Sequence, residues 1–199
     1  MFVSVNDWNV YSFENGWGVI MVKLHIGCGK KLMDGYCNID THLMNGADMI
    51  HWLPKPLLFL DVEEIRCHHV IEDFTADVQR KVVLDFLRVL KLGGVLHLKM
   101  PHRSNKCFVG SVYHMKPAVS GTFNALVKNS EEDNYSEPER FSKYLLKRVN
   151  FHRTPILWFT YGWWNELLVN SCPALMSLYE FSIWSDLFPA HECEWRIQK

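Results

Sequence analysis

The feature that most constrains the fold is a short apolar segment that runs directly into two closely spaced glycines. Val22–Ile26 has the composition of a buried β-strand, and Gly27-Cys28-Gly29 ends it. A second short strand is predicted over Cys37–Asp40, and it ends in a carboxylate. Two such strand ends, close together in the sequence, indicate an α/β sheet in which a ligand binds at the carboxyl ends of the strands.

Each of these strand ends has a plain structural explanation beside the functional one. A G-x-G sequence alone is also a common tight turn, and Asp40 alone could cap a turn or a helix. Together, the glycines let a ligand approach the backbone closely, and an acceptor-only carboxylate suits the two ribose hydroxyls of a nucleoside. The pair therefore predicts a cofactor that contains a nucleoside.

The spacing separates two classes of cofactor. A nicotinamide site needs a third glycine, in G-x-G-x-x-G, and an acid about 20 residues further on. Leu32 occupies the position of that third glycine, and Asp40 follows Gly29 by only 11 residues. S-adenosylmethionine (SAM) carries no phosphate and needs no glycine there, so the sequence favours SAM over NAD.

The segments that follow predict a largely parallel sheet with flanking helices. Further strands are expected over Ala47–His51, Ile65–Val70 and Val95–Met100. Apolar residues at three- and four-residue steps predict a helix over Asp77–Leu90, closed by Gly93-Gly94. Strands that alternate with a helix in this way are typical of the α/β class.

The second half of the chain is less regular. Glu139–Val149 and Tyr161–Val169 are expected to be helices, and Ser130–Glu137 is expected to be a surface loop. Leu175–Trp184 and Cys193–Gln198 are expected to pair as a closing antiparallel hairpin. These assignments rest on local composition alone.

The length of 199 residues is typical of one domain. We expect a single SAM-binding domain over residues 22–199, with 102–160 as an insertion on the acceptor side. Residues 1–21 are expected to form an N-terminal arm, and Met21 is an alternative start directly before the first strand.

Composition argues against several functional classes. The formal net charge is −1, so no strong overall field attracts nucleic acid or an anionic membrane. The six cysteines contain no CxxC pair, so no metal site is expected. No secretory signal and no apolar run of about 20 residues is present, so a cytoplasmic protein without a membrane partner is expected.

The ordered motifs of residues 23–101 resemble those of the compact class I SAM-dependent methyltransferases. The two strand ends match that group's first motifs, as Leu24-His-Ile-Gly-Cys-Gly29 and Gly35-Tyr-Cys-Asn-Ile-Asp40. Four further segments follow in the order of the family: Asp48–Leu53, Leu57–Phe59, His69–Glu72 and Arg88–Gly94. The resemblance implies a Rossmann-like fold with a mostly parallel seven-stranded sheet in the order 3-2-1-4-5-7-6.

The resemblance also implies roles for the matching residues. The glycine turn would contact the methionine part of SAM, and the acid after the second strand would hold the ribose. Residues after the third strand would lie near the adenine, and two histidines after the fourth would flank the methionine end. The implied cofactor-binding residues are Gly27, Cys28, Gly29, Asp40, His51, Trp52, Leu53, His68 and His69.

The catalytic base is left open by the sequence. His69, Glu72 and His102 follow the fourth and fifth strands and are candidates for a general base, each with a structural role as the alternative. The segment His68–Asp73 lacks the N/D-P-P-Y/F motif of amino methyltransferases. No proline adjoins Cys67, which disfavours covalent attack by that thiol.

We expect an enzyme that transfers a methyl group from SAM to a small-molecule or glycan acceptor. Basic residues in 102–160 allow an anionic acceptor, although they also suit a solvated surface. The alternative is an inactive SAM-fold binding module or partner subunit. Trp52 and Asp73 favour it, because the family has Asp and His at those positions. Nucleic-acid methylation is the least favoured function.

Overall fold

A computed structural model describes residues 22–43, 46–127, 143–151 and 162–199. The N-terminal arm expected over 1–21, with the alternative start at Met21, lies outside the described residues. The surface loop expected over Ser130–Glu137 lies outside them as well.

The described residues contribute seven strands to one sheet. Their bounds are Val22–Ile26 (β1), Cys37–Asp40 (β2), Met49–Ile50 (β3), Val62–His68 (β4), Leu90–Pro101 (β5), Lys143–Asn150 (β6) and Glu192–Gln198 (β7). The order is β3-β2-β1-β4-β5-β7-β6. β7 runs antiparallel to both of its neighbours, and the other neighbouring pairs are parallel. The predicted strand order is confirmed.

Helix α1 covers Ala76–Val89 and confirms the helix predicted from the spacing of apolar residues. Its predicted closure by Gly93-Gly94 is wrong, because the chain enters β5 directly at Leu90. The register of β4 against β5 jumps from Leu90 to Val95, so residues 91–94 form a bulge. The two glycines therefore lie in the bulge of a strand and do not end the helix.

Two assignments in the second half are wrong. The helix predicted over Glu139–Val149 is replaced, from Lys143 onward, by strand β6, which pairs with β7 along its length. The strand predicted over Leu175–Trp184 is instead a helix over Pro173–Glu180, so the expected hairpin does not form. Pro173 in the first turn presets the helical φ, and this signal outweighs the apolar composition that favoured a strand.

The remaining α-helices of the described residues are short. They are Lys106–Val109 (α2), Trp163–Val169 (α3), Pro173–Glu180 (α4) and Trp184–Leu187 (α5). α3 confirms the described part of the helix predicted over Tyr161–Val169. Within 102–160, β6 belongs to the sheet, and Phe123 and Leu126 belong to the hydrophobic core. None of the helices in the described ranges combines the length and the apolar character needed to cross a membrane.

The connection from β1 to β2 is short for parallel strands, which are usually joined by a dozen or more residues. The described loop is held by the buried side chain of Asn38 instead of by a helix. Asn38 Oδ1 accepts from the Met33 N–H at 2.9 Å, and Nδ2 donates to the carbonyls of Met33 and Tyr36, both at 3.2 Å. This amide fixes the loop that carries the chain from one strand end to the next strand.

The two faces of the sheet differ in polarity. One face carries a buried apolar row across four strands, Ile26, Cys67, Leu98 and Trp195. The opposite face carries a polar row in register, His68, Lys99, Glu194 and Arg148. Mostly parallel sheets are usually apolar on both faces. The polar face is therefore the exceptional surface of this fold.

Candidate functional site

The glycine turn, Gly27–Gly29, and the carboxylate of Asp40 lie together at the ends of two adjacent strands. The Ile39 carbonyl accepts hydrogen bonds from the N–H groups of Gly27, at 2.8 Å, and Cys28, at 3.2 Å. The Gly29 N–H donates to Asp40 Oδ2 at 2.7 Å. The expected juxtaposition of the two strand ends is present.

The two glycines of the turn meet different surroundings, although both have positive φ, 68° for Gly27 and 52° for Gly29. A Cβ on Gly27 would lie 2.1 Å from Val70 Cγ2, inside the protein. A Cβ on Gly29 would have no heavy atom within 4 Å. Gly27 is thus required by packing, whereas the backbone at Gly29 borders open space that a ligand can enter.

The Asp40 carboxylate is held in place by two short backbone hydrogen bonds and has two longer side-chain contacts. Oδ1 accepts from the Thr41 N–H at 2.7 Å, and Oδ2 accepts from Gly29. Partial burial acts to raise the pKa of Asp40, but the hydrogen bonds from Gly29 and Thr41 outweigh it and lower the pKa. The two longer contacts, 3.3 Å from the Thr41 hydroxyl to Oδ1 and 4.0 Å from Cys28 Sγ to Oδ2, are the ones that a ribose diol would replace on the ionised group.

The residues after β3 lie beside this acid. The His51 N–H donates to the Asp40 carbonyl at 2.9 Å, and the His51 ring contacts the Lys55 carbonyl at 2.8 Å. Trp52 is 54% exposed, with the ring of His42 at a centroid distance of 6.1 Å. Leu53 packs against the core. An exposed indole next to the strand ends offers a flat apolar surface.

A second group of polar side chains, here called the Glu192 cluster, lies on the polar face toward the carboxyl ends of β4 and β5. It adjoins the glycine turn, since Val70, which would touch a Cβ on Gly27, follows His69 directly. Its members are His68, His69, Glu72, His97, Lys99, Asn150, Glu192 and Glu194.

His69 connects two carboxylates within the cluster. Its Nε2 lies 2.9 Å from Glu192 Oε2, and its Nδ1 lies 3.5 Å from Glu72 Oε1. The hydrogen bond to Glu192, followed by that to Glu72, raises the pKa of His69 to about 9. The residue also has a φ of 55°, a left-handed conformation that is strained for a non-glycine residue.

Lys99 and Asn150 both donate hydrogen bonds to the carboxylates from β7, and Lys99 also supplies a positive charge. Lys99 Nζ donates to Glu192 at 2.9 Å, and Asn150 Nδ2 donates to both Glu192 and Glu194 at 3.0 Å. Burial acts to raise the pKa of Glu192, but the bonds from His69 and Lys99 outweigh it and lower the pKa. The hydrogen bond from His97 lowers the pKa of Glu194 to about 2.

Four polar atoms of the cluster are buried without a hydrogen-bond partner among the described residues. They are His68 Nε2, Glu72 Oε2, His97 Nδ1 and Asn150 Oδ1. Burial lowers the pKa of His68 to about 3, so its ring is neutral at neutral pH. Buried polar groups in proteins are nearly always paired, so several orphans in one place indicate a site for a polar ligand or water.

Most of the cluster was not anticipated from the sequence, which indicated only His68, His69 and Glu72. The others lie on β5, β6 and β7, up to 123 residues from their partners. The available signal was the alternation of polar residues at His97 and Lys99 and at Glu192 and Glu194. Polar residues at every second position are unusual for strands in the middle of a sheet.

His102 is completely buried and does not reach the mouth of a pocket. Its Nδ1 accepts from the Ser104 N–H at 3.1 Å, and its Nε2 lies 3.6 Å from Glu180 Oε1. His102, Glu180 and Cys193 bring potential metal ligands within 4.8 Å of one another. Because Nδ1 is used as an acceptor, Nε2 carries the hydrogen of the neutral ring, which favours a structural role over metal binding.

The sequence matches no family model and no curated protein. The fold of this chain is instead similar to those of several solved structures. A SAM-dependent methyltransferase from Archaeoglobus fulgidus aligns at 12% identity over 90% of this chain and 86% of that chain, with a TM-score of 0.56. The N-methyltransferase NodS from Bradyrhizobium japonicum WM9, solved with S-adenosyl-L-homocysteine, aligns at 12% identity over 90% and 78%, with a TM-score of 0.52.

A putative sarcosine dimethylglycine methyltransferase from Galdieria sulphuraria aligns at 13% identity over 91% of this chain and 80% of that chain, with a TM-score of 0.50. The chain has the fold of SAM-dependent methyltransferases. At these identities the likeness concerns the fold, and the chemistry must be argued from the residues of this chain.

Proposed function

We propose that this protein is a SAM-dependent methyltransferase that acts on a small-molecule or glycan acceptor. The observation that carries the proposal is the meeting of the open Gly29 backbone and the ionised Asp40 at the ends of β1 and β2. In this sheet order, that place is where a nucleoside cofactor fits.

The residues present fit SAM. The backbone of the glycine turn would contact its amino-acid part, and Cys28, whose side chain is buried, contributes backbone alone. Asp40 would accept from the ribose hydroxyls, while His51, Trp52 and Leu53 would border the adenine. When bound, SAM supplies a methyl group on a sulfonium centre, and the protein has to align the acceptor with it and exclude water.

His68 and His69 would flank the methionine end of SAM, and the Glu192 cluster, which begins at these two residues, would form the acceptor side. Three buried acceptors have no donor among the residues that the structure describes: Glu72 Oε2, Asn150 Oδ1 and, in the neutral ring, His97 Nδ1. They suit an acceptor molecule that carries hydroxyl or amino groups, and the three carboxylates disfavour an anionic one. With a pKa of about 9, His69 holds a proton at neutral pH and acts as a positioning cation, not as a base.

Calorimetric titration with SAM and with S-adenosylhomocysteine tests the proposal. Asp40→Asn keeps the shape of the side chain but removes the charge, so we expect roughly 10- to 100-fold weaker binding. Asp34→Asn removes an exposed charge from the preceding loop and should leave the affinity within about twofold. Absence of binding by the unmodified protein at millimolar SAM would refute the function.

A matched glycine pair tests the position of the ligand. Gly29→Ala and Gly35→Ala each place a Cβ in open space at a positive φ, so both variants carry about 1 kcal/mol of similar backbone strain. Gly29→Ala should weaken SAM binding tenfold or more, because its methyl group enters the space assigned to the ligand. Equal affinity of the two variants would place the ligand elsewhere.

The second candidate function is a SAM-binding module without activity. The exposed Trp52 supports it, because an indole cannot accept a hydrogen bond from the adenine amino group. A screen of hydroxyl- and amino-bearing acceptors with labelled SAM separates the two functions. SAM binding without any labelled product would favour the module. Affinity for nucleic acid that falls steeply with salt would favour the third function, nucleic-acid methylation.

A reducing, cytoplasmic location is part of the same proposal. Cys28, Cys37, Cys67, Cys172 and Cys193 are free thiols, as expected for a protein kept in such a compartment.

A further inference from the structure

Helix α3 carries polar side chains on its inner face and apolar side chains on its outer face. The buried residues are Asn165, Glu166 and, at the last position of the helix, Val169. The exposed positions, between 46% and 56% accessible, are Trp163, Trp164, Leu167 and Leu168. A surface helix of a globular protein normally has the opposite arrangement. The outer face of α3 is therefore built for burial against something else.

The inner polar contacts fix this orientation. Glu166 forms an ion pair with Arg148 of the edge strand β6, and Asn165 Oδ1 accepts from the indole N–H of Trp184 at 2.6 Å. The amide of Asn170, at the end of α3, bonds both the N–H and the carbonyl of Val149 at 2.8 Å. Because these contacts lock α3 onto the sheet edge, its apolar side cannot turn inward.

The apolar exposure continues along the next two helices. α4 packs against both α3 and α5. The most exposed large side chains of that region are Phe181, at 73%, and Ile183, at 72%. We call the whole set the apolar surface; its members are Trp163, Trp164, Leu167, Leu168, Leu178, Phe181, Ile183, Leu187 and Phe188.

The apolar surface is large for a monomer. With aromatic side chains of about 150–250 Å² each, nine residues at these exposures present on the order of 1,000 Å². The largest apolar patch of a typical monomer is about 300–600 Å². A standard interface buries about 800 Å² on each partner, so this area meets what a stable dimer needs.

The charges decide which partner fits. Residues 162–191 contain no lysine or arginine, and of their three acids Glu166 and Glu180 are buried, which leaves Asp186 exposed. The helices α3 to α5 offer no lysine or arginine of their own to an anionic lipid surface, and the adjoining Arg148 is already paired with Glu166. Two copies of such a surface can meet with little like-charge repulsion. Homodimer interfaces are also more apolar than the interfaces of non-obligate complexes.

We propose that the apolar surface is the interface of a symmetric homodimer. An open depression beside α3 is lined by Arg148, Trp163, Glu166, Leu167, Asn170 and Ser171, and it offers a place for a large side chain of the facing copy.

Sedimentation equilibrium of the full chain between about 1 and 100 μM tests the proposal. The expected species has twice the mass of the 23.4 kDa chain. Leu167→Lys and Phe181→Lys change exposed residues, so they should keep the fold, as checked by circular dichroism. Each should raise the dissociation constant at least tenfold, because each buries an unpaired charge. Leu92→Lys, which alters an exposed leucine in the β5 bulge, should leave the dimer unchanged.

Four outcomes would overturn the proposal. One is a monomer at 100 μM, and another is a dimer that both lysine variants leave intact. The third is a monomer that co-sediments with zwitterionic vesicles in a way that depends on Leu167 and Phe181, which would make lipid the occupant. A monomer in which removal of residues 1–21 newly exposes binding sites for an apolar dye would assign the surface to that segment and would also overturn it.

Discussion

The glycine turn and the Glu192 cluster lie side by side at one end of the sheet, yet they are built in different ways. The turn and Asp40 come from residues 27–40, and the N–H groups of Gly27, Cys28 and Gly29 all have partners. The cluster collects side chains from β4, the segment after it, β5, β6 and β7, and four of its buried polar atoms lack a partner within the described part of the chain. A backbone site is completed by local bonds, whereas a side-chain site keeps unpaired groups until its ligand arrives.

Backbone strain divides the two regions in the same way. The turn reaches positive φ with glycines, for which that conformation carries little penalty. The cluster reaches it with His69, for which it costs on the order of 1 kcal/mol or more. The long-range contacts of His69 must hold this conformation. We therefore expect the stability of the cluster to depend mainly on charge, and that of the glycine turn to depend mainly on side-chain volume.

The largest expected effect concerns volume in the turn. Gly27→Ala places a methyl group 2.1 Å from Val70 Cγ2 and strains a φ of 68°, so we expect a loss of about 3 kcal/mol in the free energy of unfolding. Urea denaturation measures it. Addition of Val70→Ala removes the clash and should recover part of the loss, with a coupling above about 1 kcal/mol. Strictly additive effects would show that the contact with Val70 is not the cause.

The next effect concerns charge in the cluster. Glu192→Gln keeps the shape but withdraws the carboxylate from His69 and Lys99, and the side chain is only 10% exposed. We expect unfolding to become easier by about 2 kcal/mol. Glu63→Gln breaks the more exposed pair with Lys91 and should cost less than about 1 kcal/mol. Similar losses of stability in both variants would mean that Glu192 contributes no more than a residue of an ordinary surface ion pair.

The same contrast explains how far the sequence could predict this molecule. The bounds of β1 and β2 were predicted correctly, because an apolar run stopped by glycine or an acid is a local signal. The strand order came from the resemblance of ordered motifs, not from any single motif. Asp40 was placed correctly at the strand end, but its bond to Gly29 depends on parallel pairing that one segment cannot reveal.

The errors arose where distant contacts outweigh local patterns. In β6, Tyr144, Leu145 and Val149 suit a helix as well as a strand, and pairing with β7 decides between them. The bulge at Gly93-Gly94 has the composition of a helix end. Glu192 and Glu194 become significant only when β7 lies between β5 and β6, so no local pattern could join them to His69.

The smallest expected effect is a pH dependence that belongs to His69. Its pKa is raised from about 6.5 to about 9, so its contribution to stability is fully present below pH 6.5 and is lost as the pH rises through 9. Because the side chain is 42% exposed, solvent screening should limit this to at most about 1 kcal/mol. Urea titrations of the unmodified protein and of His69→Gln, between pH 6 and about 10, measure the difference between their free energies of unfolding. Groups that titrate in the same way in both proteins cancel in this difference. This difference in stability should become smaller as the pH rises. A constant difference would mean that His69 is not charged in the folded protein, and that Glu192 and Glu72 do not hold its proton.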